Sequence, residues 1–556
     1  MDSISIRSDR IILKTTYERR EQAKLVGGYR WLPSHKAWSY PATAATADRL
    51  DRLFPDAETD DGFRALLEQA RAVDEAQSIK DDEDIPDHPT RTPSWLHQRR
   101  AYRFIDALPA AMLDMGMGTG KTKVVVDWMA NAGCERVLVI CPKYVVIDGV
   151  WPRNLQQHGV NSEEWTAISP TKGTLAERAD VIRTHHESGI KRLLVVQNYE
   201  CLQREAMTRT LAGLRWDAIV FDESHKLKAP GGKISLASLK LKAPKILALT
   251  GTPMPSTPGD IYAQFRRLDM GILGPSWQRF KMAHLVVDDF GAVRGVRDPE
   301  RFHSTISRIM FHAGSEVLDL PDVRHLELSC RLEPKAWKYY REIEEHLAAE
   351  VDEGEVTIAN AMVSMTKLQQ VTGGWRDHAE TKGEQVRISS AKQAVFSELI
   401  EGLGDEPIVV FCRFHRDLDA VHEACAAAGA ESREISGRPR GQTGLNEWKA
   451  GEAQVLAAQI DAASDGIECV RAAYGVYWSV GFSPGRYLQS TRRIHRPGQE
   501  RPVTYYHLLA EGPAGERTID RYIYTRLNQK EMLNRSVLTP DADFKRGILD
   551  DVLQGR

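Results

Sequence analysis

The chain has 556 residues, 42% of them hydrophobic and 27% charged, with a formal net charge of −3. At ~150 residues per domain there is room for three or four domains with buried cores, and the composition excludes a disordered chain. No run approaches the ~18 apolar residues of a membrane-spanning helix, Met1-Asp2-Ser3-Ile4 lacks a basic-then-apolar leader pattern, and the seven cysteines include no C-x-x-C pair. The expectation is a cytoplasmic protein with reduced thiols, without a membrane partner, a zinc ribbon or a disulfide framework.

From the N-terminus, residues 1–44 carry eight Lys and Arg against four acids, and the bases interleave with Tyr29, Trp31, Trp38 and Tyr40. Phosphate attraction beside aromatic platforms suits single-stranded or splayed DNA, which makes Trp31 and Lys36 candidate DNA contacts. The same aromatics would equally serve as the core of a small β-rich domain. Residues 56–87 reverse the sign, with twelve acids against three bases. The stretch 58–90 reads as an acidic linker with a helix near 63–79.

Beyond it, short apolar runs alternate with helical patterns. One set is Arg136-Val137-Leu138-Val139-Ile140, Leu193-Leu194-Val195-Val196, Ala218-Ile219-Val220-Phe221 and Ile246-Leu247-Ala248-Leu249. A second is Pro407-Ile408-Val409-Val410-Phe411, Val455-Leu456-Ala457-Ala458, Gly475-Val476-Tyr477-Trp478 and Val503-Thr504-Tyr505-Tyr506. Continuous apolar strands are the pattern of buried parallel sheets, and alternation with helices predicts an α/β fold. Residues 334–370, rich in Glu, Ala, Lys and Met, read as a helical insertion between two α/β lobes.

Within the first set, Met115-Gly116-Met117-Gly118-Thr119-Gly120-Lys121-Thr122 follows an apolar stretch and precedes a helical one. Gly116, Gly118, Thr119 and Gly120 would let backbone N–H groups turn around a phosphate at a helix N-terminus. Lys121 would reach the β- and γ-oxygens, and the Thr122 hydroxyl would ligate Mg2+. Met115 stands where the G-x-x-x-x-G-K-[ST] pattern wants glycine. A glycine-rich turn of no special purpose is the weaker alternative. Asp222-Glu223-Ser224-His225 directly follows an apolar strand, which places two carboxylates at its carboxyl end. Asp222 would hold Mg2+, and Glu223 would polarise the attacking water. In the second lobe, Arg493 and Arg496 are spaced i, i+3. On a helix they would share a face and stabilise γ-phosphate charge, the alternative being a basic helix on solvent.

Taken in order, these motifs resemble those of superfamily 2 helicases, and within them the Swi/Snf-type DNA-dependent ATPases, over about residues 91–530. Leu96-His97-Gln98 is similar to the family's adenine-reading segment, making Gln98 a candidate nucleotide contact. Leu249-Thr250-Gly251-Thr252-Pro253 resembles the motif that couples hydrolysis to the nucleic-acid groove. Val317-Leu318-Asp319-Leu320-Pro321 and Ser390-Ala391-Lys392 look like stretches of the Swi/Snf branch, and Val410-Phe411-Cys412-Arg413-Phe414 like the opening of the second lobe. Ala462-Ala463-Ser464-Asp465-Gly466-Ile467 resembles a late nucleotide- and DNA-contacting loop, adding Asp465 and Gly466 to the nucleotide candidates. Arg492-Arg493-Ile494-His495-Arg496-Pro497-Gly498-Gln499 closes the series. Ser224 replaces the usual Ala, Pro255-Ser256-Thr257 replaces polar residues, and Asp465-Gly466 stands for a more glycine-rich loop.

The resemblance implies two RecA-like parallel-sheet lobes with helical insertions, plus a small N-terminal α+β domain similar to HARP-type domains of annealing helicases. The implied divisions are 1–57 (DNA-binding), 58–90 (acidic linker), 91–325 (first lobe), 326–388 (helical insertion and start of the second lobe), 389–530 (second lobe) and 531–556 (tail). It further implies an ATP- and Mg2+-dependent DNA translocase of bacterial or phage type, monomeric or weakly associated, acting in fork remodelling, branch migration or strand annealing. Tyr199 and Arg413 become expected DNA contacts. An RNA or single-strand helicase, and a recruitment factor that binds nucleotide without turnover, remain the alternatives.

Overall fold

The computed structural model describes residues 2–80, 85–288, 291, 293–352, 358–377, 385–438, 444–460 and 467–538. Asp465 and Gly466 lie outside the described residues. The chain divides into two compact units, one running up to Val317 and the other from Leu318 to Glu531.

The first unit holds two sheets. β1 (Ser3–Arg7), β2 (Arg10–Lys14), β3 (Arg30–Leu32), β4 (Ala37–Pro41) and β5 (Glu58–Thr59) form a five-stranded sheet in the order β3-β4-β2-β1-β5, antiparallel except for β1 with β5. Helices Ala44–Leu53 and Asp61–Ile79 accompany this sheet, and its core gathers Ile11, Leu13, Trp38, Tyr40, Leu50 and Phe63. Much of the expected linker is therefore built structure. β5 pairs with the first strand, and the helix after it buries Phe63, Ala70, Val73 and Ala76. Its acids were legible as charge. The apolar stripe that docks it lies on the opposite face.

The second sheet of this unit is seven-stranded and fully parallel. It comprises β6 (Ala110–Met115), β7 (Arg136–Cys141), β8 (Trp165–Ile168), β9 (Arg192–Asn198), β10 (Ala218–Asp222), β11 (Lys245–Thr250) and, after the β12–β13 hairpin (Leu285–Val287 with Val293–Val296), β14 (Met310–Ala313). The order is β14-β6-β11-β10-β7-β9-β8. Val137, Val139, Leu194, Val196 and Val220 join the core on one face, while Leu138, Ile140, Leu193, Val195, Ile219 and Phe221 join the core on the other. Burial of both faces is why these strands read as unbroken apolar runs.

The small sheet is docked on the large one. The half-buried Asp269 carboxylate accepts the Gly271 amide at 2.6 Å and also bonds Thr43 and the Ala45 amide at the start of helix Ala44–Leu53. Arg308 pairs with Asp48 at 3.7 Å and Asp74 at 3.2 Å, and Gln77 Nε2 donates to the Arg308 carbonyl at 2.9 Å.

The second unit has a six-stranded parallel sheet: β15 (Val323–Arg331), β18 (Ile408–Cys412), β19 (Ser432–Ile435), β20 (Val455–Gln459), β21 (Tyr474–Tyr477) and β22 (Val503–Glu511), in the order β15-β22-β21-β18-β20-β19. A small hairpin, β16 (Trp375–Asp377) with β17 (Gln385–Arg387), lies apart from it. β15 belongs to this sheet, so the strand set opens before residue 326. The expected helical stretch is two helices, Pro334–Asp352 and Ile358–Thr372. All seven cysteines are buried and free. Among the described residues no helix is long and apolar enough to cross a membrane.

A buried histidine in this unit, His507, gives stability an acid dependence. His507 on β22 contacts His325 Nδ1 at 3.1 Å through its Nε2, and burial, then His325, hold it down to about 3. The unfolded imidazole takes up a proton near pH 6.5 that the folded one refuses, so His507 contributes stability above that pH and loses it below. Between pH 6.5 and 5 the loss should approach ~2 kcal/mol, at ~1.4 kcal/mol per pH unit. Asp417, which burial pushes up to about 6, works with the opposite sign. The difference in urea-unfolding free energy between the native chain and His507→Phe, followed over this pH range, isolates the histidine; equal slopes would refute the assignment.

Candidate nucleotide site

β6 ends at Met115, and the chain turns through Gly118 (φ 81°) and Gly120 (φ 88°) into helix Lys121–Asn131. Both glycines occupy the left-handed region, where a side chain is disfavoured. A Cβ on Gly120 would also lie 2.2 Å from Gln98 Nε2. Met115 has no such need, because it ends a strand with its side chain fully buried. That explains why the loop tolerates methionine where the pattern asks for glycine.

The loop is held by its own side chains and by the preceding helix Leu96–Ala107. Thr119 Oγ donates to the Gly116 carbonyl at 2.6 Å, and Gln98 Nε2 donates to the Thr119 carbonyl at 2.9 Å, where His97 Nε2 also sits at 2.9 Å. Gln98 is buried and braces the loop. Lys121 Nζ donates to the Met115 and Gly116 carbonyls at 2.8 and 3.2 Å, across the mouth of the loop. Thr122 lies in the first helical turn. Behind that helix, Lys123 Nζ bonds Asp127 Oδ2 at 2.5 Å and Ser94 Oγ at 2.7 Å, a buried anchor to the segment before it.

The two acids come from β10. β11 pairs with β10 on one side and β6 on the other, so the carboxyl ends of β6 and β10 flank one strand. Asp222 is buried; its Oδ2 accepts Trp151 Nε1 at 3.0 Å and its Oδ1 accepts the Glu223 amide at 3.0 Å. Burial first, then Glu223, raise its carboxyl above the ordinary range, against the pull of the Trp151 bond and of Lys121. Glu223 follows at φ 51°, a conformation costing on the order of 1–3 kcal/mol that aims its side chain off the strand end. Its Oε2 lies 3.2 Å from His225 Nδ1, which also meets Thr250 Oγ1 at 3.3 Å. Ser224 Oγ donates to Gln264 Oε1 at 2.7 Å, and Gln264 Nε2 donates to the Pro253 carbonyl at 2.7 Å. A relay of hydrogen bonds thus joins the acid pair to the segment after β11.

The loop N–H groups and Lys121 suit a polyphosphate. A hydroxyl such as that of Thr122 and a carboxylate such as that of Asp222 are the oxygen donors that Mg2+ takes. Trp151 was not legible as part of the site, because nothing local to it marks its contact across the fold.

Two expectations are corrected, the Tyr199 contact with DNA and the helix face shared by Arg493 and Arg496. Tyr199 is buried, its hydroxyl donating to the Asp222 carbonyl at 2.9 Å, so it supports the acid pair and offers no surface to DNA. Helix Pro484–Thr491 ends before Arg493 and Arg496, which sit in the turns that follow, so they do not share a helix face. Arg493 is buried, with its Nη1 3.4 Å from the Ile467 carbonyl. Arg496 Nη2 pairs with Glu468 Oε1 at 2.6 Å. Arg413 donates to Gln369 Oε1 and lies over the Phe414 ring at 5.0 Å. Lys392 of the Ser390-Ala391-Lys392 stretch is a buried tie, donating to the Trp478 carbonyl at 2.6 Å and pairing with Asp520 at 2.7 Å. In the small sheet, Trp31 is 47% exposed against a buried Trp38 at 5.0 Å, and Lys36 is exposed in a left-handed turn. The aromatics therefore divide between core and surface.

The DNA repair and recombination protein RDH54 of Saccharomyces cerevisiae is 24% identical over 75% of this chain and 49% of its own length. An uncharacterised ATP-dependent helicase of Mycoplasma pneumoniae is 23% identical over 79% of this chain and 41% of its own. The chain thus spans about half the length or less of these relatives. The Sulfolobus solfataricus SWI2/SNF2 ATPase core in complex with dsDNA aligns over 82% of this chain and 99% of its own, at 20% identity and a TM-score of 0.38. The family pattern described as the SNF2-related domain matches residues 13–374, more than half of the sequence, and the chain belongs to that family.

Proposed function

We propose that the chain is an ATP-dependent DNA translocase. The observation that carries the reading is the placement of the Lys121 loop and the Asp222–Glu223 pair on either side of β11, close enough for Lys121 to act on the Asp222 carboxyl. Thr122 and Asp222 would hold Mg2+, which supplies charge neutralisation at phosphate oxygens. Lys121 and the amides around Gly118 and Gly120 orient the phosphates, and Gln98 keeps the loop in place for them. Glu223 accepts a hydrogen bond from the attacking water and takes its proton as the water oxygen bonds the γ-phosphorus; the bond to the leaving ADP oxygen breaks. Arg493 and Arg496 are assigned to the same reaction as stabilisers of phosphoryl charge.

DNA as the track is supported by the names of the relatives, one a DNA repair and recombination protein and another, in Danio rerio, a chromodomain-helicase-DNA-binding protein. The relay from Ser224 through Gln264 to Pro253 links the acids to the segment that the family uses for coupling. Trp31, Lys36 and Arg413 are the assigned DNA contacts, and fork remodelling or branch migration is the assigned setting. The test is ATP-driven displacement of a triplex-forming third strand beside unwinding of a forked duplex and an RNA duplex. Displacement of the third strand with little unwinding is expected; unwinding of RNA alone would overturn the reading.

A further inference from the structure

Where the N-terminal module meets the helical segment 272–305 of the same unit, the two line a half-open cavity of about 750 Å3, a volume typical of ligand sites. Its walls carry four arginines: Arg30 and Arg49 from the N-terminal module, Arg279 and Arg301 from helices Trp277–His284 and Pro299–Ser307. All four are solvent-accessible, and among the described residues none forms an ion pair. The acids nearby are already engaged. Asp298 accepts the Arg301 amide at 3.0 Å, Asp48 pairs with Arg52 and Arg308, and Asp269 is taken up by the docking bonds. Burial, then the fields of Arg301 and Arg49, hold His284 on the same wall below its ordinary value, so positive potential is concentrated here.

Four guanidiniums against the single lining carboxylate of Asp298 leave an excess of positive charge, although Arg49 also donates to the Ile272 carbonyl at 3.4 Å and feels Asp269 and Asp48; the planar forks match phosphate oxygens. A single phosphate would leave most of that charge unbalanced; a run of phosphodiesters would balance it. The arginines also sit beside aromatic surface. Tyr29 lines the cavity, with the Arg279 guanidinium 5.6 Å from its ring, and the next residue after Arg30 is the exposed Trp31. We infer that this cavity binds the phosphate backbone of an unpaired nucleic-acid strand, gripped jointly by the N-terminal module and the first lobe. A strand held there would depend on both walls at once.

The inference rests on the chain being a DNA-binding motor, and its test separates the two. The full-length Arg279→Ala/Arg301→Ala variant, the charge-conserving Arg279→Lys/Arg301→Lys variant and an Arg183→Ala/Arg209→Ala control would be compared by anisotropy with a labelled single-stranded oligothymidylate across a salt series. Inorganic triphosphate binding would be measured calorimetrically in parallel. The alanine variant should bind the oligonucleotide about ten- to a hundredfold more weakly, with the lysine variant between it and the native chain. Its log–log salt slope should shrink by ~1.4, the share of two phosphate contacts on a single strand. Duplex-stimulated ATP turnover should stay at the native rate. Native-like oligonucleotide affinity in the alanine variant would overturn the inference while leaving the motor intact. Loss of triphosphate binding with unchanged oligonucleotide affinity would assign the cavity to a soluble polyphosphate and overturn it too. A native chain that neither binds DNA nor answers it with ATP turnover would defeat the motor reading itself.

Discussion

Glu223→Gln is expected to lower DNA-stimulated ATP turnover by ~10²–10⁴-fold while leaving nucleotide affinity within a few-fold of native, the loss typical of removing a positioned general base. Glutamine has nearly the same shape, so the left-handed turn at residue 223 and the bond between its amide and Asp222 Oδ1 should persist. What disappears is the negative charge that accepts a proton. Phosphate release gives the rate, and displacement of a fluorescent ATP analogue gives the affinity. A variant that turns over slowly because it no longer binds nucleotide would show that Glu223 serves binding and not water activation. The same substitution also removes a like charge beside Asp222, whose carboxyl should then ionise more readily, because Glu223 is one of the two influences that raise it.

Lys121→Ala should reduce ATP affinity by about ten- to a hundredfold, the usual worth of a charge-assisted hydrogen bond, and abolish measurable turnover. The loop should nonetheless stay folded. Thr119 binds the Gly116 carbonyl, and Gln98 and His97 hold the Thr119 carbonyl, all independently of the lysine. Thermal unfolding within a few degrees of native, together with the lost affinity, would place the defect in phosphate binding. A collapse in stability would instead make Lys121 a structural clasp for the Met115 and Gly116 carbonyls.

Most of the two large sheets was legible because their strands are buried on both faces and leave unbroken apolar runs. The strands that escaped notice sit at sheet edges or outside that pattern: β8, β14 and β19 are short edge strands, and β15 is largely exposed along its length. The nucleotide loop and acid pair were legible because their residues are contiguous and the chemistry restricts them. Tyr199 was misread because its place in the motif series says nothing of which way the ring turns; the fold turns it inward onto the Asp222 carbonyl. Arg493 and Arg496 were placed on a helix from spacing alone, yet the helix stops at Thr491, before the Pro497-Gly498 pair. Trp151 and the arginine cavity depend on contacts between segments distant in the chain, which no local pattern encodes.

The central claim is that this chain couples ATP hydrolysis to DNA. Steady-state ATP turnover by the full-length protein, with no nucleic acid and with saturating duplex DNA, single-stranded DNA or RNA, tests it most directly. A rate raised well above basal by duplex DNA, and by duplex more than by RNA, is the expected result. A native rate with DNA no higher than that of Lys121→Ala, or strongest stimulation by RNA, would contradict it.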